Sequence, residues 1–514
     1  EGIYQPYVSV SVDDTDPEKI EDIKKAIREE LERAVENGLD REELTASINS
    51  MEYRALARDS SNSVGLNQIL SVMDSWLYGG DPLLFLENMP TYRRLRELMA
   101  TDYYENLIKE TFLESKHSAL VVALPSDTLG AERKKAEEDK LARYKASLTS
   151  EETDALIELN RKLSEWQEAP DLPENVAKLP SLRLSDVEKL PEDTATSVCQ
   201  RSGAVILSHD IKTRGVVYTN LYFNVSEPDP EKLSLISFTA ALLGELGTAS
   251  HTGLELTKLV RTNLGYLNIY TSTSSRPGQS EKSSVYLTVN CGALEANSCH
   301  VAEIINEILH TTDFSDIATI RTILKQQKAG MERDIAGNGR DFGIKRVSAH
   351  NSSEGVSVEY LSGYEYYRWL KKYENAPDNS LAAIMEEAAA MLGKILAKSR
   401  LTMSITGNGN IISDAILEKL SDAEKTDNEI AYTLMTGSNE GIEVPVGVSF
   451  AEMGLDIKSA GSGLSDMWYV VSKLLSLTYL WDSIRVQGGA YGTGVSYRDN
   501  GEFVFSSYRD PNPA

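Results

Sequence analysis

The chain has 514 residues, of which 41% are hydrophobic and 25% charged, and its formal net charge is −26. This length exceeds what one hydrophobic core holds and predicts several domains, while no apolar run approaches the length of a bilayer span. A chain this acidic is a poor match for phosphate backbones, so neither nucleic acid nor a membrane is expected as a partner.

The negative charge has two interpretations. It would attract basic ligands such as cationic peptides, or it would only provide a solvated surface that aids solubility. The second interpretation is preferred unless the acidic groups line a cavity.

Cysteine usage bears on the compartment. Cys199, Cys291 and Cys299 are widely spaced and odd in number, which fits a reducing compartment better than a disulfide framework. We expect all three to be buried or inert thiols, and we expect cytoplasm or an organelle matrix as the location. The first residues show no signal-peptide pattern.

Residues 1–127 are predicted to form a strand, four helices and a second strand. Val8, Val10 and Val12 alternate with polar residues, as in a half-buried strand. A helix with an apolar stripe follows and ends at Gly38, and an apolar strand is predicted over 119–124. We interpret this region as the second half of an α/β domain.

Residues 128–179 are predicted to be a helical connector and linker. Lys and Glu recur at helical spacing up to residue 167, and Thr149 with Glu152 makes a capping box. Prolines at 170, 173 and 180 then indicate an extended stretch that leads into a new domain.

Residues 180–426 are predicted to be a complete α/β domain. Its second part repeats the strand and helix order of the first 127 residues, and its spacing agrees. Val10 and Gly65 are 55 positions apart, and Leu287 and Gly343 are 56 apart. The predicted elements of this domain are strands over 216–225, 285–289 and 401–405 and helices over 233–243, 255–261, 301–308, 320–335 and 381–396.

Residues 427–514 repeat the first part of that domain, with strands over 446–450 and 503–508 and a helix over 464–475. Arg485 and Tyr491 occupy roughly the places of Arg261 and Tyr266. The repeat predicts an α+β fold of repeated two-layer α/β domains with mostly antiparallel sheets. Because the order is half, whole, half, we expect the chain to be cut inside its first and last repeats.

A hydrolytic metal needs about three side-chain ligands and an open position. The six histidines have no such spacing; His300 with Glu303 comes closest, but Ile304 stands where a second histidine is needed. A surface histidine beside a glutamate is the preferred interpretation. We therefore predict no catalytic residue and no metal ligand in this chain.

The segment 484–494 has four glycines in seven residues, which let backbone approach a ligand closely. Arg485 and Tyr491 could both point into one cleft and donate hydrogen bonds to a carbonyl or oxyanion. The alternative is structural: Arg485 would cap a helix C-terminus and Tyr491 would lie in the core. Arg261 and Tyr266 are interpreted as structural, because Leu264 replaces a glycine of the loop.

The pattern Arg-x-x-Gly-Gly-Ala-Tyr-Gly at 485–492, with Ser-Tyr-Arg-Asp-Pro-Asn at 507–512, resembles the C-terminal signature of presequence proteases in the pitrilysin/insulinase superfamily. Residues 179–187 resemble that family's entry into its third domain. The resemblance covers nearly the whole chain.

The resemblance implies four homologous α/β domains in two halves that close around a peptide, with zinc in the first domain. This chain would supply half of the chamber of a zinc metalloendopeptidase acting on short peptides, basic ones among them, and would bind the N-terminal half of the same protein. Arg485 and Tyr491 would support the transition state, and Gly488, Gly489 and Gly492 would contact substrate. Zinc would be held outside this chain, which alone would be inactive. The alternative is a non-catalytic peptide-binding or scaffold homologue.

Overall fold

The computed structural model describes residues 4–13, 15–58, 63–187, 193–423, 429–437 and 439–513. The chain divides into two compact units. One comprises Glu1–Pro6, Leu39–Tyr104 and Thr194–Ala514, and the other comprises Tyr7–Gly38 and Glu105–Asp193.

The α-helices, in chain order, are α1 (Ile20–Asn37), α2 (Arg41–Arg58), α3 (Val64–Trp76), α4 (Met89–Leu98), α5 (Tyr103–Ile108), α6 (Leu129–Ser147), α7 (Ser150–Glu168), α8 (Pro173–Val176), α9 (Pro230–Leu242), α10 (Gly253–Asn263), α11 (Ser298–Thr311), α12 (Ile317–Gly337), α13 (Gly339–Ala349), α14 (Ser353–Ser362), α15 (Tyr364–Glu374), α16 (Asp378–Ile395), α17 (Asn410–Lys419) and α18 (Met467–Leu477). The strands are β1 (Thr196–Arg201), β2 (Ala204–His209), β3 (Val216–Asn224), β4 (Tyr266–Ser274), β5 (Ser284–Leu294), β6 (Leu401–Thr406), β7 (Ser449–Asp456), β8 (Gly492–Tyr497) and β9 (Glu502–Asp510). In the part of the chain that the structure describes, no helix is long and apolar enough to cross a membrane.

The larger unit contains a six-stranded sheet in the order β1-β2-β6-β3-β5-β4. Its pairs are antiparallel except β2 with β6. The middle strands are rich in β-branched and aromatic residues, and they bury Leu221, Phe223 and Val289 completely against helices such as α11. Each such side chain contributes about 1.5–3 kcal/mol through burial.

A second sheet, in the order β7-β9-β8, repeats the arrangement of β3-β5-β4. Helix α18 and a π-helical segment, Trp481–Gln487, stand where α9 and α10 stand in the first sheet. The mixed fold with open, mostly antiparallel sheets is confirmed, and so is the likeness between these two sets of elements.

Other predicted elements have mixed outcomes. The connector helices and the Thr149–Glu152 capping box are confirmed as α6 and α7. The strands predicted at Val8–Val12 and at 119–124 are wrong: both segments are exposed and irregular, because no described segment pairs with them. The strand predicted over 446–450 begins at Ser449 instead.

The predicted domain boundaries at 127, 179 and 426 stay predictions. The last of them falls at residues 424–428, outside the described residues. All three cysteines are free, but Cys199 and Cys299 are exposed, so the expectation that all would be buried is wrong. Cys291 is buried in the sheet, and burial raises the pKa of its thiol to about 12.

Candidate functional site

The glycine loop, residues 485–492, connects the π-helical segment to β8, an outer strand of the small sheet. Gly488 lies so close to this segment that a Cβ there would come within 2.7 Å of the Ile484 carbonyl oxygen. Gly489 has φ +81°, a backbone conformation that favours glycine. The two glycines therefore permit the tight turn that leads to the next strand.

Arg485 is held within the loop by its guanidinium. Its Nη1 donates a hydrogen bond of 3.0 Å to the carbonyl oxygen of Ala490. Its Cζ lies 5.2 Å from the ring centroid of Trp481 and 5.5 Å from that of Tyr491, within the range of cation–π attraction. A guanidinium carries five N–H donors, so others are available to a ligand. The structural alternative, a cap on backbone carbonyls, therefore describes part of what Arg485 does.

Tyr491 is directed toward solvent. Its side chain is 67% exposed, while its backbone N donates to the carbonyl oxygen of Tyr508 over 3.0 Å. The ring centroids of these two tyrosines are 6.0 Å apart. The alternative that Tyr491 is a core residue is therefore wrong, and the loop brings its phenol beside Arg485.

Trp481, Tyr508 and Arg509 complete this group, and the sequence pattern assigned them no role. Arg509 has φ +49°, unusual for a residue with a side chain, and its Cζ lies 5.5 Å from the Tyr508 ring centroid. An aromatic residue four positions before Arg485 on a helix lies on the same face, which is the signal that could have identified Trp481. We call Trp481, Arg485, Tyr491, Tyr508 and Arg509 the Arg–Tyr cluster.

The Arg–Tyr cluster is suited to binding oxygen atoms. Guanidinium and phenol groups donate hydrogen bonds to a carbonyl, a carboxylate or a developing oxyanion. Gly492 pairs with Tyr508 in the sheet, and a Cβ there would meet only the Tyr508 Cβ, at 3.8 Å. The protein has room for a side chain at Gly492, so its absence leaves space for a ligand. The roles of Gly488, Gly489 and Gly492 in substrate binding stay predictions.

The related loop in the larger sheet is covered. Tyr53 of α2 is 4% exposed, and its ring centroid lies 5.9 Å from that of Tyr266. A Cβ on Gly265 would come within 2.3 Å of the Tyr53 ring. Burial raises the pKa of Tyr266 to about 12. This environment agrees with the structural interpretation of Tyr266.

The described residues do not fit a zinc site. They contain no group of three or more His, Cys, Asp or Glu side chains arranged to hold a metal. His300 and Glu303 pair at 3.6 Å on the exposed side of α11, as expected for a surface pair. His251 instead bonds Glu307 over 2.7 Å, and this bond raises the pKa of the imidazole.

The fold and the loop define a chain built from repeated α/β domains, one of which presents an open, donor-rich turn. Comparison with known families agrees with the resemblance: residues 124–372 match the family model described as associated with subfamily C of the M16 peptidases, and residues 439–514 match the PreP C-terminal domain. The chain belongs to the presequence-protease branch of the M16 peptidases, in the pitrilysin/insulinase superfamily.

Two curated relatives illustrate the similarity. "Protein HypA" of Clostridium perfringens is 28% identical over 99% of this chain and 53% of its own length. "Presequence protease 1, chloroplastic/mitochondrial" of Arabidopsis thaliana is 26% identical over 99% of this chain and 48% of its own length. The chain thus spans about half the length of the curated relatives it matches.

Solved structures with similarity are more distant. A conserved protein from Enterococcus faecalis aligns with a TM-score of 0.44 and 12% identity, covering 61% of this chain and 75% of that one. A structure described as the peptidase M16 inactive domain from Pseudomonas fluorescens aligns with a TM-score of 0.41 and 12% identity, covering 61% and 74%.

Proposed function

We propose that this chain is the substrate-binding, chamber-forming part of a zinc metalloendopeptidase that degrades short unstructured peptides. The observation that carries the proposal is the pairing of Arg485 with the exposed Tyr491 on a glycine loop. The family supports it, since relatives are named presequence proteases. Zinc, which would activate water, would be bound by residues outside this chain, in the N-terminal half of the same protein.

In this proposal the Arg–Tyr cluster holds the substrate backbone beside the bond to be cleaved. The Tyr491 hydroxyl donates a hydrogen bond to the substrate carbonyl oxygen, and Arg485 provides positive charge beside it. Both interactions strengthen as negative charge develops on that oxygen, so they lower the barrier more than they strengthen substrate binding.

The bond between Arg485 and the Ala490 carbonyl has a role in this step. It fixes the guanidinium against the turn that carries Tyr491, so the two donors keep their separation before substrate arrives. Donors that are fixed in advance need little reorganisation during the reaction. Arg485 therefore both positions the loop and contacts substrate.

The proposed location is an organelle matrix or the cytoplasm. Relatives are named mitochondrial in Schizosaccharomyces pombe and chloroplastic/mitochondrial in Arabidopsis thaliana. The proposed ligands are peptides, basic ones among them, because the chain carries a net charge of −26.

The test is peptide cleavage by the full-length protein with Arg485→Ala and with Arg261→Ala. Arg261 holds the related position in the covered loop, so it is a matched control. We expect Arg485→Ala to lower kcat/KM by roughly 10²-fold with zinc content unchanged, and Arg261→Ala to leave both unchanged. Equal activity of both variants would refute the site. Absence of cleavage by the parent protein would favour a non-catalytic peptide-binding or scaffold homologue.

A further inference from the structure

Strand β4 has a free edge. It is the last strand of the six-stranded sheet and pairs only with β5 among the described strands. An outer strand exposes unpaired N–H and C=O groups, and natural proteins usually blunt such edges with charges, prolines or bulges. Strand β4 reads Tyr-Leu-Asn-Ile-Tyr-Thr-Ser-Thr-Ser, without a charge or a proline, and its register with β5 is continuous over nine pairs. This edge is therefore open to strand pairing.

Three adjoining cavities follow the same edge. Their volumes are about 460, 650 and 480 Å³. The first is lined by Thr273 and Ser274, the second and third by Ile269 and Tyr270, so together they extend along most of β4. The first and second share Asp341 as a lining residue. We call this continuous depression the β4 groove; it is about 30 Å long at 3.4 Å per residue.

The lining of the β4 groove is acidic. Five carboxylates and two cations line it: Glu245, Asp334, Asp341, Glu354 and Asp499 on one side of the balance, and Lys345 and Arg498 on the other. Both cations already pair with carboxylates, Lys345 with Asp341 over 2.8 Å and Arg498 with Glu502 over 3.0 Å. Within the described residues, Asp334 and Glu245 form no ion pair, and both are exposed. The acidic groups thus line a cavity, which favours a basic ligand over a merely solvated surface.

We propose that the β4 groove binds a basic segment of an extended peptide, which adds to the free edge of β4 as a further strand. Backbone hydrogen bonds to β4 would supply affinity without regard to sequence. Cationic side chains of the peptide would lie over Asp334 and Glu245. The inference rests on the proposed function only in taking a peptide as the ligand, and it places a second contact on the chain apart from the Arg–Tyr cluster.

The test measures binding of labelled peptides to this chain by fluorescence anisotropy, without catalysis. The probe alternates valine and lysine over about nine residues, to match the length of β4. Two further probes carry N-methyl groups on alternate residues, one set on each peptide edge, so that side chains and charge stay the same. We expect methylation of at least one edge to weaken binding by more than about tenfold, because strand addition needs N–H donors on that edge. Equal binding of all three probes would overturn the proposal.

Charge recognition is tested on the protein. Asp334→Asn should weaken binding of the lysine probe by about threefold, as expected for loss of one exposed charge pair. Glu418→Gln is the matched control: Glu418 is an exposed acid on α17, outside the groove lining, and its variant should bind normally. Equal weakening by both variants, or equal binding of a probe with glutamate in place of lysine, would overturn the proposal.

Other outcomes separate the two proposals of function. If the chain sediments as a dimer that the lysine probe does not dissociate, a second copy occupies the edge and the inference fails. If the probe binds but the full-length protein cleaves no peptide, the peptidase proposal fails and the β4 groove stands. Cleavage without any binding of the probe to this chain would have the opposite meaning.

Discussion

The two loops that begin β4 and β8 have related positions in related sheets, yet one is covered and the other is open. The strand orders β3-β5-β4 and β7-β9-β8 correspond. At the first loop the ring of Tyr53 from α2 lies against Gly265 and Tyr266. At the second, no ring covers Tyr491 to this extent, and its side chain is 67% exposed.

The difference shows how a repeated domain gains separate uses for one turn. Where a helix fills the space, the tyrosine contributes to packing and its phenol is removed from solvent. Where the space stays open, the same residue type can donate to a ligand, because its hydroxyl is accessible and a guanidinium lies 5.5 Å from its ring. Topology alone therefore does not assign the function; the covering element does.

The largest expected effect on stability comes from uncovering the first loop. Tyr53→Ala removes a ring that is 4% exposed, and we expect the free energy of unfolding of the larger unit to fall by about 3–5 kcal/mol. Tyr491→Ala should change it by less than about 0.5 kcal/mol. Thermal unfolding followed by near-UV circular dichroism measures both variants, and similar losses would break the comparison.

Glycine substitutions sharpen the comparison with a smaller effect. Gly265→Ala would place a Cβ 2.3 Å from the Tyr53 ring, and we expect a loss of about 1–3 kcal/mol from overpacking. Gly492→Ala meets only the Tyr508 Cβ at 3.8 Å and should cost less than about 0.5 kcal/mol. In the full-length protein Gly492→Ala should still raise KM, because its methyl group occupies space left for substrate. A destabilised Gly492→Ala variant with normal KM would contradict this assignment.

The smallest effect concerns how the small sheet is attached while its loop stays open. Glu452 of β7 lies against α13, and burial raises its carboxyl pKa to about 8. Because the folded state holds this proton more tightly than the unfolded state, stability is full below about pH 4.5 and falls as pH rises toward 8. Glu452→Gln should therefore unfold at a higher temperature than the parent at pH 8 and at a similar one at pH 4.5. The same difference at both pH values would contradict a titrating Glu452.

Much of the fold follows from periodicity in the sequence. The helices and strands of residues 216–405 were predicted close to their observed bounds, because their apolar positions recur with the helix or strand period. Strands at Val8–Val12 and 119–124 were not found, although their patterns are similar. A strand forms only when a partner supplies hydrogen bonds, and pattern alone does not report the partner.

The candidate site was predictable in part. The glycines and the resemblance identified Arg485 and Tyr491, and local geometry brings them together. Trp481 and Arg509 were missed, because a ring beneath a guanidinium and a positive φ are properties of the folded chain. Coverage of Tyr266 was also hidden from the sequence, since Tyr53 is more than 200 positions away in the chain.

The most direct test of the account is the turnover of a short peptide by the full-length protein carrying Tyr491→Phe, compared with Tyr266→Phe. Each change removes one hydroxyl and keeps the ring, so packing is preserved in both. The account predicts that Tyr491→Phe lowers kcat by roughly 10²-fold, the effect of losing one oxyanion donor, with zinc content unchanged, and that Tyr266→Phe leaves kcat unaltered. Unchanged turnover in Tyr491→Phe, or equal losses in both variants, would contradict it.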